Sequence, residues 1–221
     1  MEQKKAFISY EADAWFERNK NYIQNYKPQA DSVIQLLKKY QVNCNNVLEI
    51  GASAGYRLQG IKEELNAKKV TGVEPSAMAI AYGNRHYPSV NLINTTADSL
   101  GMIPEGSVEL VIMGFVFYVI DRSLVLKAIS EIDRVLSNGG HLVLVDFFSE
   151  TTLKNKYHHI DDFNAYSFKQ NYDEIFSATK LYHLLDKSCY NYNNDQPDAN
   201  EEFSNLYSVA LLKKDIHVSY K

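Results

Sequence analysis

Cysteine is nearly absent from this chain, with only Cys44 and Cys189 among 221 residues. Two such distant thiols make no disulfide framework, and both read as packing residues. An excess of positive charge is also missing: 23 Lys and Arg stand against 27 Asp and Glu, for a net charge of -4. That sign opposes gripping nucleic acid by phosphate neutralisation, so no nucleic-acid partner is expected. The longest apolar run, Leu110 to Ile120, is interrupted by Gly114 and falls far short of the roughly 20 residues of a membrane helix. The opening segment MEQKKAFISYEADAW lacks the apolar stretch of a signal peptide. No membrane partner and a reducing, cytoplasmic setting follow as expectations. Internal repeats and low-complexity linkers are absent too. With 45% apolar and 23% charged residues the chain has the composition of a folded globular protein, and its length suits one domain over 1–221. Tryptophan occurs once against sixteen tyrosines, which reads first as compositional bias and second as material for ring stacking.

The apolar positions Ala12, Trp15, Phe16, Tyr22, Ile23 and Tyr26 recur at helical spacing behind Ser9, a candidate N-cap. Pro28 suits the first turn of a second helix, in which Ala30, Val33, Leu37 and Tyr40 form one stripe. Residues 1–45 thus read as a helical cap. From residue 46 strands and helices alternate: strands at Asn46–Ile50, Lys69–Val73, Val90–Ile93, Val108–Met113 and His141–Asp146, with helices at Ser76–His86 and Asp121–Leu136. Asn138-Gly139-Gly140 reads as the stop of the last helix. Near-continuous apolar strands separated by helices predict an α/β fold, a parallel sheet covered on both faces. The core is therefore 46–146. Residues 147–179 have no long period and read as an insertion over the sheet's carboxyl end. Two strands, Leu181–Cys189 and Leu206–Leu212, follow within 180–221 as an antiparallel pair.

In open α/β sheets ligands sit at the carboxyl ends of the strands, and the first strand-to-helix turn approaches them most closely. Here that turn is Glu49-Ile50-Gly51-Ala52-Ser53-Ala54-Gly55-Tyr56-Arg57. It departs from the dinucleotide pattern at Ser53 and Tyr56, which argues against a nicotinamide oxidoreductase. Glu74, ending the second strand, either accepts ribose hydroxyls or is an acid favoured by the dipole of the helix behind Pro75 and Ser76. Asp98 either accepts an exocyclic amine such as that of adenine or closes an Asx turn.

Taken in order and at their intervals, VLEIGASAG, VTGVEPS, TTADSLG, VELVIMGFVFYVI and RVLSNGGHLVLVDF resemble the core of class I S-adenosylmethionine-dependent methyltransferases over residues 46–147. The resemblance implies a Rossmann-like, doubly wound sheet of seven strands, mainly parallel with an antiparallel last strand. It implies S-adenosyl-L-methionine as cofactor. Glu49, Gly51 and Gly55 would shape the methionine pocket, Glu74 would hold the ribose, and Asp98 with Ser99 and Leu100 would frame the adenine; Ser53, Tyr56, Pro75 and Ser76 complete the expected cofactor-binding set. Gly114 and Phe115 would lie near the reacting sulfonium. Ser53 stands where the family often has glycine, and Glu109 where an aspartate is common. ADAWFERNK and KNKYHHIDDFNAYSFKQNYDEIF also resemble a bacterial branch associated with surface-carbohydrate biosynthesis.

Methyl transfer from a sulfonium is a displacement on an activated electrophile, so positioning of the acceptor matters most. A hydroxyl acceptor must also lose a proton. The candidates facing the carboxyl edge are Asp146, His158 and His159, the histidines being either acid–base groups or loop residues. The run His158-His159-Ile160-Asp161-Asp162 gathers ligand-type side chains, but adjacent histidines point apart and no metal spacing recurs, so no metal is expected. Tyr10, Trp15 and Phe16 read as a lid or as a packed stripe. Tyr157, Tyr166, Phe168 and Tyr172 read as a stacking surface for the acceptor or as the insertion's own core. The function expected is methylation of a small-molecule hydroxyl or amine, foremost a sugar or nucleotide-sugar. The alternative is a non-catalytic module that binds S-adenosylmethionine or a nucleotide.

Overall fold

The computed structural model describes residues 2–42, 45–160, 164–197, 202 and 205–217. Cys44, Asp161 and Asp162 lie outside the described residues. The chain begins with α1 (Glu2–Ala6), a π-helical turn (Phe7–Glu11), α2 (Ala12–Gln24) and α3 (Ser32–Lys39). The core runs β1 (Asn46–Ile50), α4 (Tyr56–Leu65), β2 (Lys69–Glu74), α5 (Ala77–His86), β3 (Asn91–Asn94), β4 (Val108–Gly114), α6 (Val125–Val135) and β5 (Leu136–Phe147). It is followed by β6 (Leu153–Lys156), β7 (Tyr166–Lys169), α7 (Tyr172–Ser177), β8 (Tyr182–Asn191) and β9 (Leu206–Lys214).

One seven-stranded sheet has the order β3-β2-β1-β4-β5-β9-β8. The strands from β1 to β5 are parallel to their neighbours, and β9 is antiparallel to both β5 and β8. Pleating divides each central strand between two cores. Leu110 and Ile112 of β4 join Val33, Leu37, Leu58 and Ile61 of α3 and α4, while Val111 and Met113 join Ala128, Ile132 and Phe176 of α6 and α7. Burial of each such side chain contributes about 1.5–3 kcal/mol, which explains the run of apolar residues without alternation. The chain moves outward from β1 to β3 and returns at β4, so a crevice opens at the carboxyl ends of β1 and β4.

Several elements differ from the sequence reading. Helix begins at Glu2, not after Ser9, whose hydroxyl donates to the Lys5 carbonyl inside the π turn. Pro28–Ala30 is a short 3₁₀ turn, and α3 starts at Ser32 because Asp31 caps it, accepting from Val33 N at 2.9 Å and Ile34 N at 3.2 Å. Tyr40 and Ala30 are consequently exposed. Asn138-Gly139-Gly140 is not a helix stop. α6 ends at Val135, β5 starts at once, and the glycines lie where the β4–β5 register shifts between Val108 and Leu110. The region after β5 contains a hairpin, β6 and β7, and a helix, α7. These elements are too short to show a period.

α5 meets the turn after β1 through Gly83, where an added Cβ would stand 2.4 Å from both the Ala54 carbonyl oxygen and Leu92 Cδ1. Alanine normally favours a helix over glycine by about 1 kcal/mol. Here the clash with backbone wins. Gly83→Ala is expected to lower unfolding free energy by about 1–3 kcal/mol, read from urea midpoints, whereas a gain would mean that α5 moves freely off the turn.

Candidate functional site

A cavity of about 760 Å³ lies over the carboxyl ends of β1, β2 and β4. Its floor is the turn after β1. Gly51 has φ +78, and a Cβ there would stand 2.3 Å from Val116 Cγ2 and 2.9 Å from the Gly114 carbonyl oxygen, so only glycine lets the two strand ends meet. Gly51 N and Ala52 N both donate to the Val73 carbonyl, at 2.9 and 3.1 Å. Ser53 holds φ +47, a conformation uncommon for a residue with a Cβ, and its buried hydroxyl has no partner. Glu49 Oε2 is likewise buried without a partner.

Glu74 projects from the end of β2 onto the cavity wall, accepting from Ser53 N at 2.8 Å and Ser76 N at 2.7 Å. Burial pushes its carboxyl up to about 7, against those two hydrogen bonds. Asp98 lies on the wall after β3, where Lys4 Nζ donates to both its oxygens at 2.8 Å and Thr96 Oγ1 to Oδ1 at 2.8 Å. Burial opposes the charge on Asp98, but these donors hold its carboxyl below the usual carboxylate range.

The residues placed by the sequence divide into two sets. Gly51, Ser53, Tyr56, Glu74, Pro75, Asp98, Gly114 and Phe115 line the cavity. Glu49 stands behind the turn, 3.6 Å from where a Gly114 Cβ would be. Gly55 opens α4, Ser76 caps α5 by accepting from Ala79 N at 3.0 Å, Ser99 is exposed, and Leu100 is core. Among the three candidate bases none lines the cavity. Asp146 is buried beneath the loop after β4 and accepts from Tyr118 N at 3.2 Å and Phe147 N at 2.8 Å, while His158 and His159 are exposed. Of the leading aromatics, Trp15 lines the cavity, Phe16 packs against Tyr82 of α5, and Tyr10 is exposed. Tyr157 lines the cavity, whereas Tyr172 stacks on Phe117 in the core.

Other wall residues carried no periodic signal. Arg57, largely but not fully buried at the start of α4, donates through Nε to Asp31 at 2.9 Å and through Nη1 to Glu49. Burial opposes that charge, yet the two carboxylates raise the guanidinium well above its usual range. Glu11, re-aimed by the π turn, accepts from Tyr157 Oη at 2.7 Å and from Arg18. Such turns recur at functional positions in helices. From the β8–β9 connection Tyr192 reaches the ring of Phe147, 4.9 Å between centroids, beside Phe115 and Tyr207. This connection, YNYNNDQPDAN in sequence, is rich in Asn, Asp and Pro, a composition that marks a loop and gives no hint of a ring on the cavity wall. Among the described residues no group of three or more His, Cys, Asp or Glu is placed to hold a metal ion.

A doubly wound sheet with this strand order, a glycine turn after β1, and acids after β2 and β3 is the fold that the resemblance to class I S-adenosylmethionine-dependent methyltransferases implies. Residues 48–144 match the family model described as a methyltransferase domain, whose cofactor is S-adenosylmethionine. No curated protein matches the sequence. Among solved structures the chain is similar to the Burkholderia thailandensis 1,6-didemethyltoxoflavin-N1-methyltransferase, with TM-score 0.68, 12% identity and coverage of 97% of this chain and 91% of that one. That enzyme was solved with 1,6-didemethyltoxoflavin and S-adenosylhomocysteine bound. An S-adenosylmethionine-dependent methyltransferase from Mesorhizobium loti gives TM-score 0.62 at 13% identity, covering 85% of this chain and 100% of that one. A chain of the Haloferax volcanii complex between the Trm112 methyltransferase activator and a methyltransferase gives 0.70 at 17%, covering 95% and 98%. At these identities the likeness is one of fold.

Burial pushes the Asp146 carboxyl from 3.8 up to about 7. Folding thus raises its proton affinity, so its contribution to stability is fully present below about pH 4 and is lost as pH rises through about 7. Glu74, raised from 4.5 to about 7, acts in the same direction. Asp146→Asn is expected to shrink the drop in urea midpoint between about pH 5 and pH 8. An undiminished drop would show that Asp146 is not a titrating group in that window.

Proposed function

We propose that this methyltransferase domain acts on a small-molecule hydroxyl or amine, foremost a sugar or a sugar conjugate, bound between the N-terminal helices and the aromatic wall. The observation that carries this reading is that wall: Phe115, Phe147, Tyr192 and Tyr207 pack in one cluster with centroid spacings of 4.9–6.1 Å, on the Gly114 side of the cavity. Flat apolar faces with hydroxyl tips suit a ring bearing polar groups. The enclosing arms favour a reaction chamber over a purely binding module.

The donor set fits S-adenosylmethionine. Its ammonium, ribose hydroxyls and adenine amine are all hydrogen-bond donors, and the cavity wall offers carboxylates at Glu74 and Asp98 together with the unspent Ser53 hydroxyl, with the unpartnered Glu49 Oε2 behind the turn. In this reading Glu74 holds the ribose, Asp98 the adenine, and the Gly51–Tyr56 turn the amino-acid end. When bound, the cofactor supplies a methyl group on a positively charged sulfur. Phe115, held at φ +52, and the aromatic wall orient the acceptor and exclude water. A hydroxyl acceptor passes its proton to Tyr157 Oη as Tyr157 passes its own to Glu11, the carboxylate on the wall. Asp146 positions the 117–118 turn from behind.

Labelled methyl transfer to a panel of sugars, nucleotide-sugars, small amines and RNA tests the acceptor class, and transfer to RNA alone would overturn the reading. Glu74→Ala is expected to weaken S-adenosylhomocysteine binding by about 1–3 kcal/mol in calorimetry. With a hydroxyl acceptor, Glu11→Gln should lower turnover roughly 10²–10⁴-fold at unchanged cofactor affinity, while His158→Ala and His159→Ala leave it near wild type. Equal losses in all three would place the base elsewhere.

A further inference from the structure

The N-terminal arm closes one side of the cavity, with Lys4, Phe7, Ile8, Glu11, Ala12 and Trp15 on the wall. It is strapped in place twice. Gln3 Nε2 donates to the Val119 carbonyl at 2.7 Å and the Tyr166 carbonyl at 2.9 Å, and Gln3 Oε1 accepts from Tyr166 N at 3.0 Å. Ala6, fully buried, packs with Tyr157, Ile160 and Ala165 of the insertion. At the tip of this arm Lys4 takes both oxygens of Asp98, the carboxylate that the proposed function gives to adenine.

We infer that Lys4 is an internal competitor for the cofactor: its ammonium occupies the adenine-recognising carboxylate and must give it up, or open the arm, before the adenosyl group can bind. The inference rests on the assignment of Asp98 to adenine. A carboxylate that already accepts two bonds from Lys4 and one from Thr96 has little capacity left in the plane where an exocyclic amine would donate. The next cation, Lys127, stands 4.0 Å away on an exposed side chain and does not block it in the same way.

Magnitude sets the expected size. The Lys4 side chain is 31% exposed, so the pair has the strength of a part-exposed ion pair and not of a buried one. Only the fraction of molecules with the pair broken is competent, and apparent affinity is reduced by that fraction. Removing Lys4 should therefore tighten binding about two- to fivefold, carried by the association rate. The sign is unusual, since loss of a residue on the cavity wall ordinarily weakens a ligand. Added salt should act in the same direction in the wild type by screening the pair.

The test uses Trp15, the one tryptophan of the chain, which lies on the cavity wall and reports binding by fluorescence. S-adenosylhomocysteine and 5′-methylthioadenosine are mixed by stopped flow with wild type, Lys4→Met, Lys4→Arg and Lys127→Met, all checked for wild-type circular dichroism. The expected result is faster association and a lower Kd for both probes in Lys4→Met only, with Lys4→Arg near wild type. The double variant Asp98→Asn, Lys4→Met should gain nothing over Asp98→Asn. Weaker or unchanged binding in Lys4→Met, or an equal gain in Lys127→Met, overturns the inference. Wild type that binds neither probe overturns the cofactor reading itself, a separate outcome.

Discussion

Arg57 is the charge on which the ligand end of this fold depends. Its guanidinium lies between Asp31, the cap of α3, and Glu49, the one acid of β1, and it is itself the second residue of α4. One side chain therefore ties the helical cap, the first strand and the helix behind the glycine turn. Two carboxylates share one cation, and all three groups are largely out of water, so removing the cation would leave two buried negative charges facing each other. Breaking such a pair from one side costs about 3–5 kcal/mol, more than any single contact in the apolar cores. Tyr26 adds its hydroxyl to Asp31 at 2.9 Å, which extends the same network to the end of α2.

The geometry around that network explains why the site is strained where it is. Ser53 and Phe115 both hold positive φ, on either side of the contact between Gly51 and Gly114. Neither would keep such a conformation alone. The tight backbone contact at Gly51, the hydrogen bonds to the Val73 carbonyl and the anchoring of Glu74 by Ser53 N fix the turn in place. Buried Asp146 and Glu74 belong to the same economy of backbone donors: each carboxylate satisfies amides that leave the ends of strands and enter loops.

Much of this was legible in the sequence because it follows from local rules. NVLEI, VELVIMG and HLVLVD are apolar runs of strand length between turn residues, and the order of glycines and acids after them fixes where a ligand lies. What escaped has no local rule. Lys4 and Asp98 are 94 positions apart, Glu11 and Tyr157 146 apart, and Arg57 and Asp31 meet only after two helices have packed. The bases suggested at the carboxyl edge illustrate the same limit. Asp146 is the penultimate residue of β5, close to where its position implied, but its carboxylate lies under the neighbouring loop and accepts from Tyr118 N. The β6–β7 hairpin was hidden by its brevity, and the helix start by a π turn, whose extra residue breaks the period used to find helices.

The placement of β9 between β5 and β8 has a consequence for how the molecule assembles. β5 is ready once residue 147 exists, yet its outer edge pairs only with residues 206–214, the last strand in chain order. During synthesis at roughly 5–20 residues per second, that edge stays open for several seconds. Val143 and Val145 alternate along it with Leu142 and Leu144, an apolar ladder suited to pairing with a foreign strand. β8 cannot cover it, because β8 reaches the sheet only through β9. Five of the seven strands can thus form early while the other two wait on one long-range pairing. A nascent chain of this topology is most exposed to misassembly at the step when the five strands that carry the cavity are already built.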